Sequence, residues 1–263
     1  MQKNCLVFTD LDGTLLDHHN YSHAAAQTAL DALAALHIPV ILNSSKTLSE
    51  IEFIAADIGL DSPRITENGS LIAYPKTGEI KILGIDYASI CDCLKRLRDT
   101  YDYQFTGFND WSAEDIAEVT GLDIEAAARA KQREASEPLL WQDNAEELEA
   151  FKAQLAENGL SLKRGGRFWH VMGQADKVMA MQYLVDQHQA EQPVEPATKP
   201  LVIALGDGPN DKDMLAAADI AVVVYNPDGT VFDLPAQDTQ RQIRTTLAGP
   251  AGWNATIMQL LNE

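Results

Sequence analysis

Apolar runs and helical patterns alternate along the first sixty residues. "CLVFTD" predicts a buried strand, and the apolar positions after it recur at helical spacing until Pro39. "IPVILNS" predicts a second strand, and Thr47 with Glu50 three residues later is the capping box of another helix. Because strand and helix alternate, we expect the strands to form a parallel sheet.

The pattern changes near Gly84. Before it, "PRITENGSLIAY" predicts a strand, an Asn-Gly turn and a returning strand. After it, helices rich in Glu, Ala and Lys are separated by short aromatic strands such as "YQFTGF" and "GRFWHVM". This composition is typical of an α+β unit.

Helix and strand alternate again from "DKVMAMQYLVDQ" onward. A polar, proline-rich linker, "QAEQPVEPATKP", precedes "LVIAL", which predicts a buried strand. We therefore predict an α/β fold, with a Rossmann-like parallel-sheet core interrupted by an inserted α+β cap domain. The predicted bounds are 1–83 and 173–263 for the core and 84–172 for the cap.

The charge balance limits the partners of the protein. The 263 residues carry a formal net charge of -19 at pH 7 and give a pI near 4.6. A field of this sign repels nucleic acid and anionic lipid, so we expect neither as a partner. Any phosphate must then be met locally, by a metal ion or a few placed cations.

The hydrophobic pattern does not predict a membrane protein or a disulfide framework. No apolar run approaches the roughly 18 residues that span a bilayer, and the N-terminal stretch meets Asp10 before a signal-peptide core of useful length. Three cysteines are an odd number, and Cys91 and Cys93 lack CxxC spacing. We expect Cys5 in a strand core, the other two on a helix, and the protein in the cytoplasm.

Polar side chains follow three of the predicted strands. They are Asp10 and Asp12 after the first, Ser44 and Ser45 after the second, and Asp207, Asn210 and Asp211 after "LVIAL". Because ligands bind beyond the carboxyl ends of parallel strands, we expect these groups to converge on one crevice. Carboxylates so near to one another repel unless a cation lies among them. Mg²⁺ prefers oxygen ligands of this kind. We therefore predict a magnesium site.

The residues around this predicted site suggest phosphoryl transfer. Asp10 would attack phosphorus to give an aspartyl phosphate, and Asp12 would protonate the leaving oxygen and then take a proton from water. Gly13 would let the backbone approach a phosphoryl group. Ser44 and Lys177 would complete the cradle by a hydrogen bond and a positive charge.

The order of these motifs resembles a known family. "DLDGT" after a strand, the serine after the second strand, Lys177 at the head of a helix, and "GDGPND" resemble the four motifs of haloacid dehalogenase-type phosphohydrolases. The insertion resembles the cap of the Cof-like branch, whose members mostly act on small phosphorylated metabolites. Strings along almost the whole chain are similar to the mannosyl-3-phosphoglycerate phosphatase family: "ILNSSKTLSEI", "ENGSLI", "TGLDIEAAARAKQREASEPLLW", "GGRFWHVMGQADK", "ALGDGPNDKDML" and "GPAGW".

The resemblance implies roles for the core aspartates. Asp10 would be the nucleophile and Asp12 the acid/base. Magnesium would be held by Asp10, by the backbone carbonyl of Asp12 and by Asp207. Asp211 would support these ligands, cap the next helix or bind the ion directly. Gly208 stands where the family commonly has serine.

A substrate with a phosphate and a carboxylate should meet cations. We expect Lys46 and Arg167 first, because a guanidinium fork or an ammonium suits a carboxylate. Arg164 is a further candidate, while Arg133 is also readable as an exposed helix charge and His170 as a packed strand histidine. The candidate phosphate- and substrate-binding residues are Gly13, Thr14, Ser45, Lys46, Arg133, Ser136, Arg167, His170 and Asn210. Ala135 replaces an aromatic residue of the family and leaves the sugar preference open.

The resemblance implies a magnesium-dependent phosphatase that converts mannosyl-3-phosphoglycerate to mannosylglycerate, with a small phosphorylated sugar acid as its partner. Glucosyl-3-phosphoglycerate or another sugar phosphate is the alternative substrate. A phosphomutase uses the same paired aspartates but must return the phosphoryl group to a sugar. A metabolite-binding regulator on an inactive scaffold is disfavoured, because Asp10 and Asp12 are both intact.

Overall fold

A computed structural model describes residues 4–165, 167–191 and 199–263. Most of the predicted linker, residues 192–198, lies outside the described residues. The contacts divide the chain into two compact units. The first unit is formed by Met1–Ser44, Ile58–Ile65 and Lys177–Glu263, and the second by Ser45–Asp57 and Thr66–Asp176.

Strands and helices alternate along much of the chain. The strands are β1 (Cys5–Thr9), β2 (Val40–Leu42), β3 (Arg64–Thr66), β4 (Leu71–Tyr74), β5 (Glu79–Ile82), β6 (Phe105–Gly107), β7 (Ser136–Trp141), β8 (Ser161–Arg164), β9 (Trp169–Met172), β10 (Leu201–Gly206), β11 (Ile220–Tyr225) and β12 (Arg241–Ala248). The helices are α1 (Gln27–Ala35), α2 (Leu48–Ile58), α3 (Tyr87–Tyr101), α4 (Ala113–Thr120), α5 (Ile124–Lys131), α6 (Ala145–Glu157), α7 (Lys177–Ala190), α8 (Lys212–Ala216) and α9 (Gly249–Leu261).

The first unit is built on a parallel sheet. Its strand order is β12-β11-β10-β1-β2, and each neighbouring pair is parallel. This confirms the predicted α/β fold with a parallel central sheet. All of β1 is buried, as expected for a central strand covered on both faces. The register pairs Thr9 with Leu205, so the carboxyl ends of β1 and β10 lie side by side.

The second unit combines an antiparallel sheet with helices. Strands β6, β7, β9 and β8 lie side by side in this order, and each pair is antiparallel. Helix α3 contacts β7, and α6 contacts β8. Their shared core includes Ile90, Phe105, Phe151 and Val171. Helices α4 and α5 contact each other around a smaller cluster, and β4 pairs with β5 as a hairpin.

Several local predictions are confirmed. The amide of Glu50 donates to the Thr47 hydroxyl (3.1 Å), and the Thr47 amide donates to the Glu50 carboxylate (2.8 Å), which is the predicted capping box. Cys5 is buried in β1, and the other two cysteines lie on α3 with free thiols. Among the described residues, none of the helices has the length and apolar character needed to cross a bilayer.

The domain boundaries near residues 84 and 172 stay a prediction. The contacts group nearly all of α2 with the second unit, although the sequence assigned this helix to the core. The predicted Asn-Gly turn is present as a short 3-10 helix, Glu67–Gly69, rather than a two-residue hairpin turn. Its three residues all have positive φ, an uncommon conformation for Glu67 in particular.

A buried acid lies within the second unit. Glu137 on β7 accepts hydrogen bonds from the Tyr87 hydroxyl (2.8 Å) and the Asn109 amide (2.7 Å). Burial raises the pKa of Glu137 to about 7, although these two hydrogen bonds favour the charged form. Below that pH the folded protein therefore holds this carboxyl protonated, while the unfolded chain ionises it at ordinary pH values.

We expect Glu137→Gln to remove a pH dependence of stability. Because the folded pKa of Glu137 lies above its ordinary value, the wild type should lose about 3 kcal/mol of unfolding free energy, relative to the variant, between pH ~4.5 and ~7. Urea unfolding of both proteins across this range measures the difference. Glu134→Gln, at an exposed position on the same segment, controls for the loss of one acidic group. A constant difference across the range would contradict the prediction.

Candidate active site

A buried ammonium group joins two carboxylates in the first unit. Lys177 is the first residue of α7, and its Nζ donates to Asp10 Oδ1 (2.7 Å) and to Asp211 Oδ1 (2.6 Å). All three side chains are buried. Asp10 directly follows β1, and Asp211 ends a short 3-10 turn after β10. Residues far apart in sequence are thus fixed to one another by charge-assisted hydrogen bonds.

Backbone contacts hold each of these residues in place. The Asp10 amide donates to the Leu205 carbonyl (2.9 Å), which ties the end of β1 to β10. The Asn43 side chain donates to the Lys177 carbonyl (3.1 Å), which ties the start of α7 to the end of β2. Asp211 Oδ2 accepts from the amides of its own loop, those of Asp207 and Gly208.

A third carboxylate completes the cluster. Asp207 Oδ1 accepts from the Thr14 hydroxyl (2.9 Å), and its Oδ2 accepts from the Asn226 side chain (2.6 Å). Asp10, Asp207 and Asp211 each offer an oxygen within 4.8 Å of the others. A Cβ at position 13 would lie 2.5 Å from Asp207 Oδ2, and Gly13 has φ +76°, so only glycine fits this turn.

The cluster has more negative than positive charge. Burial raises the pKa of Asp10 to about 7, and the nearby Asp211 carboxylate adds to this effect. Burial also raises the pKa of Asp207. Burial alone would lower the pKa of Lys177, but Asp10 and Asp211 hold it above its usual range. Lys177 is therefore charged, and one ammonium faces three carboxylates.

The donor set fits a magnesium ion. Hard cations prefer oxygen ligands, and Mg²⁺ is usually held by one or two carboxylates with waters and a substrate phosphate. Asp10 and Asp207 would hold the ion, with the Asp12 backbone carbonyl that the resemblance implies. Asp211 already accepts from Lys177 and from two loop amides, which suits a supporting role.

The structure gathers most of the predicted core residues. Besides the cluster itself, Asn210 donates to Asp211 (3.4 Å). Ser44, which follows β2, is buried, and its amide donates to the carbonyl of Ile65 on β3 (3.1 Å). The turn that carries Asp12 and Thr14 is closed by backbone hydrogen bonds between Gly13 and Leu16 and between their neighbours. The catalytic and binding roles of these residues stay predictions.

Four of the candidate substrate residues meet within the second unit. The Arg133 guanidinium donates to the Ser45 carbonyl (3.2 Å) and to the Ser136 hydroxyl (3.3 Å). The Ser136 hydroxyl donates to Glu67 (2.6 Å), and the Glu67 amide donates to the Lys46 carbonyl (2.9 Å). Glu67 therefore connects the segment that carries Lys46 with the segment that carries Ser136. The sequence analysis gave Glu67 no role.

The other three candidates have different surroundings, and the Arg164 guanidinium lies over the Trp169 ring, 5.0 Å from its centre. Arg167 donates to the Val119 carbonyl, outside the network of Glu67. Among the described residues, the buried Nδ1 of His170 has no hydrogen-bond partner. Burial lowers the pKa of His170 to about 3, and the charge of Arg133 adds to this. The imidazole is therefore neutral at pH 7.

Sequence reasoning also missed Asn226. This residue directly follows β11, just as Asp207 directly follows β10. The rule that polar residues at the carboxyl ends of parallel strands converge would have found it, had it been applied to the end of "IAVVVY".

We expect Lys177→Met to destabilise the metal-free protein at pH 8 by about 3–5 kcal/mol, because two buried carboxylates lose their counter-charge. The loss should be smaller at pH 5.5, where protonation of Asp10 relieves the repulsion. Urea unfolding in the presence of EDTA measures both values. Lys212→Met, an exposed lysine at the start of α8, is the matched control. A variant as stable as the wild type at pH 8 would show that the ion pairs do not contribute to the free energy of unfolding.

The chain is similar to several known proteins, in sequence or in fold. The glucosyl-3-phosphoglycerate/mannosyl-3-phosphoglycerate phosphatase of Methanococcoides burtonii is 36% identical, over 98% of this chain and 97% of that protein. A haloacid dehalogenase-like hydrolase from Bacteroides thetaiotaomicron has a TM-score of 0.69 at 18% identity, over 97% of this chain and 99% of that one. One from B. subtilis has a TM-score of 0.55 at 21% identity, over 82% of this chain and 88% of that one.

These two solved structures share the fold, and the family follows from the sequence. A family model described as haloacid dehalogenase-like hydrolase matches residues 7–234. That match covers most of the chain, and the relative from M. burtonii extends the similarity to nearly all of it. The chain belongs to the family of haloacid dehalogenase-like hydrolases.

Proposed function

We propose that the protein is a magnesium-dependent phosphatase that releases phosphate from mannosyl-3-phosphoglycerate and leaves mannosylglycerate. The observation that carries this proposal is the buried Asp10 carboxylate, bonded to Lys177 and within 4.8 Å of Asp207 in a cluster of oxygen ligands. The substrate is suggested by the 36% identical relative, whose name includes it.

Asp10 would be the nucleophile. Lys177 holds Asp10 Oδ1, so the other oxygen, Oδ2, would attack phosphorus. A bond forms between Oδ2 and phosphorus while the bond from phosphorus to the sugar-acid oxygen breaks, and Asp12 gives that oxygen its proton. Asp12 would then take a proton from water, whose oxygen bonds to phosphorus while the bond from phosphorus to Asp10 Oδ2 breaks; inorganic phosphate leaves and the Asp10 carboxylate is regenerated. When bound, Mg²⁺ would neutralise charge on the phosphoryl oxygens.

The phosphoryl group would also meet neutral and cationic donors. Ser44 would donate its hydroxyl to one of its oxygens, and Asn210 lies on the neighbouring loop; the Gly13 and Thr14 amides already donate to the Leu16 and Leu11 carbonyls and would shape the turn beside the phosphoryl group. Lys177 would balance the charge of the phosphoryl oxygens without leaving Asp10. Lys177 is fixed by its two ion pairs before the substrate arrives, so this charge needs little reorganisation during the reaction.

The residues that the sequence proposes for the rest of the substrate differ in the contacts that they already make. Lys46 is the first candidate for the carboxylate, because it directly follows Ser44 and Ser45 in the sequence and its ammonium suits a carboxylate; its Nζ also lies 4.0 Å from Glu50. Arg133 and Arg167 both donate to backbone carbonyls already. Ser136 donates its proton to Glu67, so it would accept from a sugar hydroxyl. The neutral His170 would contribute a hydrogen bond without charge.

Glucosyl-3-phosphoglycerate is the second candidate substrate. The relative from M. burtonii is named for both sugars, and the two substrates share the phosphate and the carboxylate. They differ only in the orientation of one sugar hydroxyl. The chemistry at Asp10 would be the same for both, so a difference would have to come from residues that contact the sugar.

Phosphate release tests the proposal. We expect release from mannosyl- or glucosyl-3-phosphoglycerate, without a bisphosphate activator, and loss of it when EDTA removes the metal. Asp10→Asn should lower kcat by at least about 10³-fold while the melting temperature stays high, because the amide cannot attack phosphorus. Retained turnover in Asp10→Asn would mean another nucleophile. A need for a bisphosphate would favour a phosphomutase.

Lys46→Met tests the carboxylate contact. We expect KM for the phosphoglycerate substrate to rise about 10- to 100-fold, as for loss of a charge-assisted hydrogen bond, with little change in kcat. A sugar phosphate that lacks the carboxylate should keep its KM. Lys76→Met, at an exposed position in the turn between β4 and β5, is the control. Equal changes in KM for both substrates would argue against a contact with the carboxylate.

A further inference from the structure

Asn226 bonds to the Asp207 carboxylate from a separate loop. Its Nδ2 donates to Asp207 Oδ2 at 2.6 Å. Its own Oδ1 accepts from the Asp228 amide at 3.0 Å, which closes the turn after β11. Only one orientation of the amide group satisfies both contacts, since an N–H donor needs an oxygen and a carboxylate needs a donor. The amide is therefore fixed with its NH₂ group towards Asp207.

The Asp207 carboxylate is held on both of its oxygens. The Thr14 hydroxyl donates to Oδ1 from the turn after β1, and Asn226 donates to Oδ2 from the turn after β11. The backbone of Gly13 leaves no free space beside Oδ2, because a Cβ there would lie 2.5 Å from that oxygen and 3.0 Å from Asn226 Nδ2. The plane of the Asp207 carboxylate is thus set by the Thr14 and Asn226 donors and by the close backbone of Gly13.

The chemistry of these donors differs from that of Lys177. An amide and a hydroxyl orient a carboxylate without cancelling its charge, whereas an ammonium neutralises it. Neither of these donors brings a positive charge that would compete with a cation, and each Asp207 oxygen has a lone pair that the donors do not use. Asp10, on the other hand, shares its charge with Lys177.

We propose that Asn226 is a positioning residue for the metal site, which fixes the Asp207 carboxylate in the orientation that binds a divalent cation. The inference rests on the proposed magnesium site and extends it to a residue on a different loop. Groups that orient metal ligands typically contribute 10- to 100-fold to metal affinity. Asn226 would act through Asp207 and would not touch the ion or the substrate.

Two substitutions distinguish the contact of Asn226 with Asp207 from its second contact, which closes the turn after β11. Asn226→Ser keeps a side-chain oxygen that can accept from the Asp228 amide, but its hydroxyl is too short to reach Asp207. Asn226→Leu has a similar size and loses both contacts. Asn20→Ser is the matched control, because Asn20 Oδ1 closes an exposed turn by accepting from the Ser22 amide (2.8 Å), while the Asp17 carboxylate of that turn accepts from the backbone amide of Asn20 (3.1 Å) and not from its side chain.

Calorimetric titration of the metal-free proteins with MgCl₂ tests the proposal. We expect Kd for Mg²⁺ to rise about 10-fold or more in both Asn226 variants and to stay unchanged in Asn20→Ser. Saturating Mg²⁺ should restore kcat, because the reacting groups are intact. The Mg²⁺-dependent rise in melting temperature gives a second readout of binding and should shift to higher Mg²⁺ concentrations in the same variants.

Three outcomes would contradict the proposal in different ways. An unchanged Kd in both Asn226 variants would overturn the role of Asn226 and leave the magnesium site intact. A Kd raised in Asn226→Leu alone would assign the effect to the turn. A wild-type protein that does not bind Mg²⁺ would overturn the inference and the metal dependence of the proposed function together.

Discussion

The buried ion pairs of Lys177 with Asp10 and Asp211 constrain three segments of the first unit that are distant in sequence. Removing three charged groups from water costs several kcal/mol for each, and only close contact between opposite charges compensates for it. The head of α7, the end of β1 and the loop after β10 must therefore meet with little freedom. Polar groups fixed at the carboxyl ends of β1 and β10 follow from this requirement.

The charge imbalance of the cluster has a consequence for binding. A chain with net charge -19 repels phosphate at long range, so attraction must come from a local positive charge. Lys177 supplies one such charge, and three carboxylates around it create a place for a divalent cation. The buried Trp253 donates to the Thr9 hydroxyl (3.1 Å), which donates to the Asp10 carbonyl (2.8 Å) and steadies the backbone of the proposed nucleophile.

Much of the site was predictable because the rules involved are local. A buried strand followed by polar residues marks a carboxyl end, and parallel topology brings such ends together, as it does for Asp10 and Asp207. The hydrogen-bond partners of buried polar residues were harder to predict from the sequence. Glu67 contacts residues 134–136 across a long separation in sequence, and its buried carboxylate and left-handed backbone cannot be read from "TENG" alone.

The sequence by itself determined the parallel sheet, the strand-end carboxylates and the capping box at Thr47, because periodicity, turn chemistry and helix capping depend on neighbouring residues. Only the tertiary structure decided which oxygen meets which donor. Asp207 is held by neutral donors and Asp211 by an ammonium and loop amides, although both are aspartates of one short motif. Their difference arises from loops distant in sequence, whose positions depend on packing of the whole sheet rather than on any local pattern.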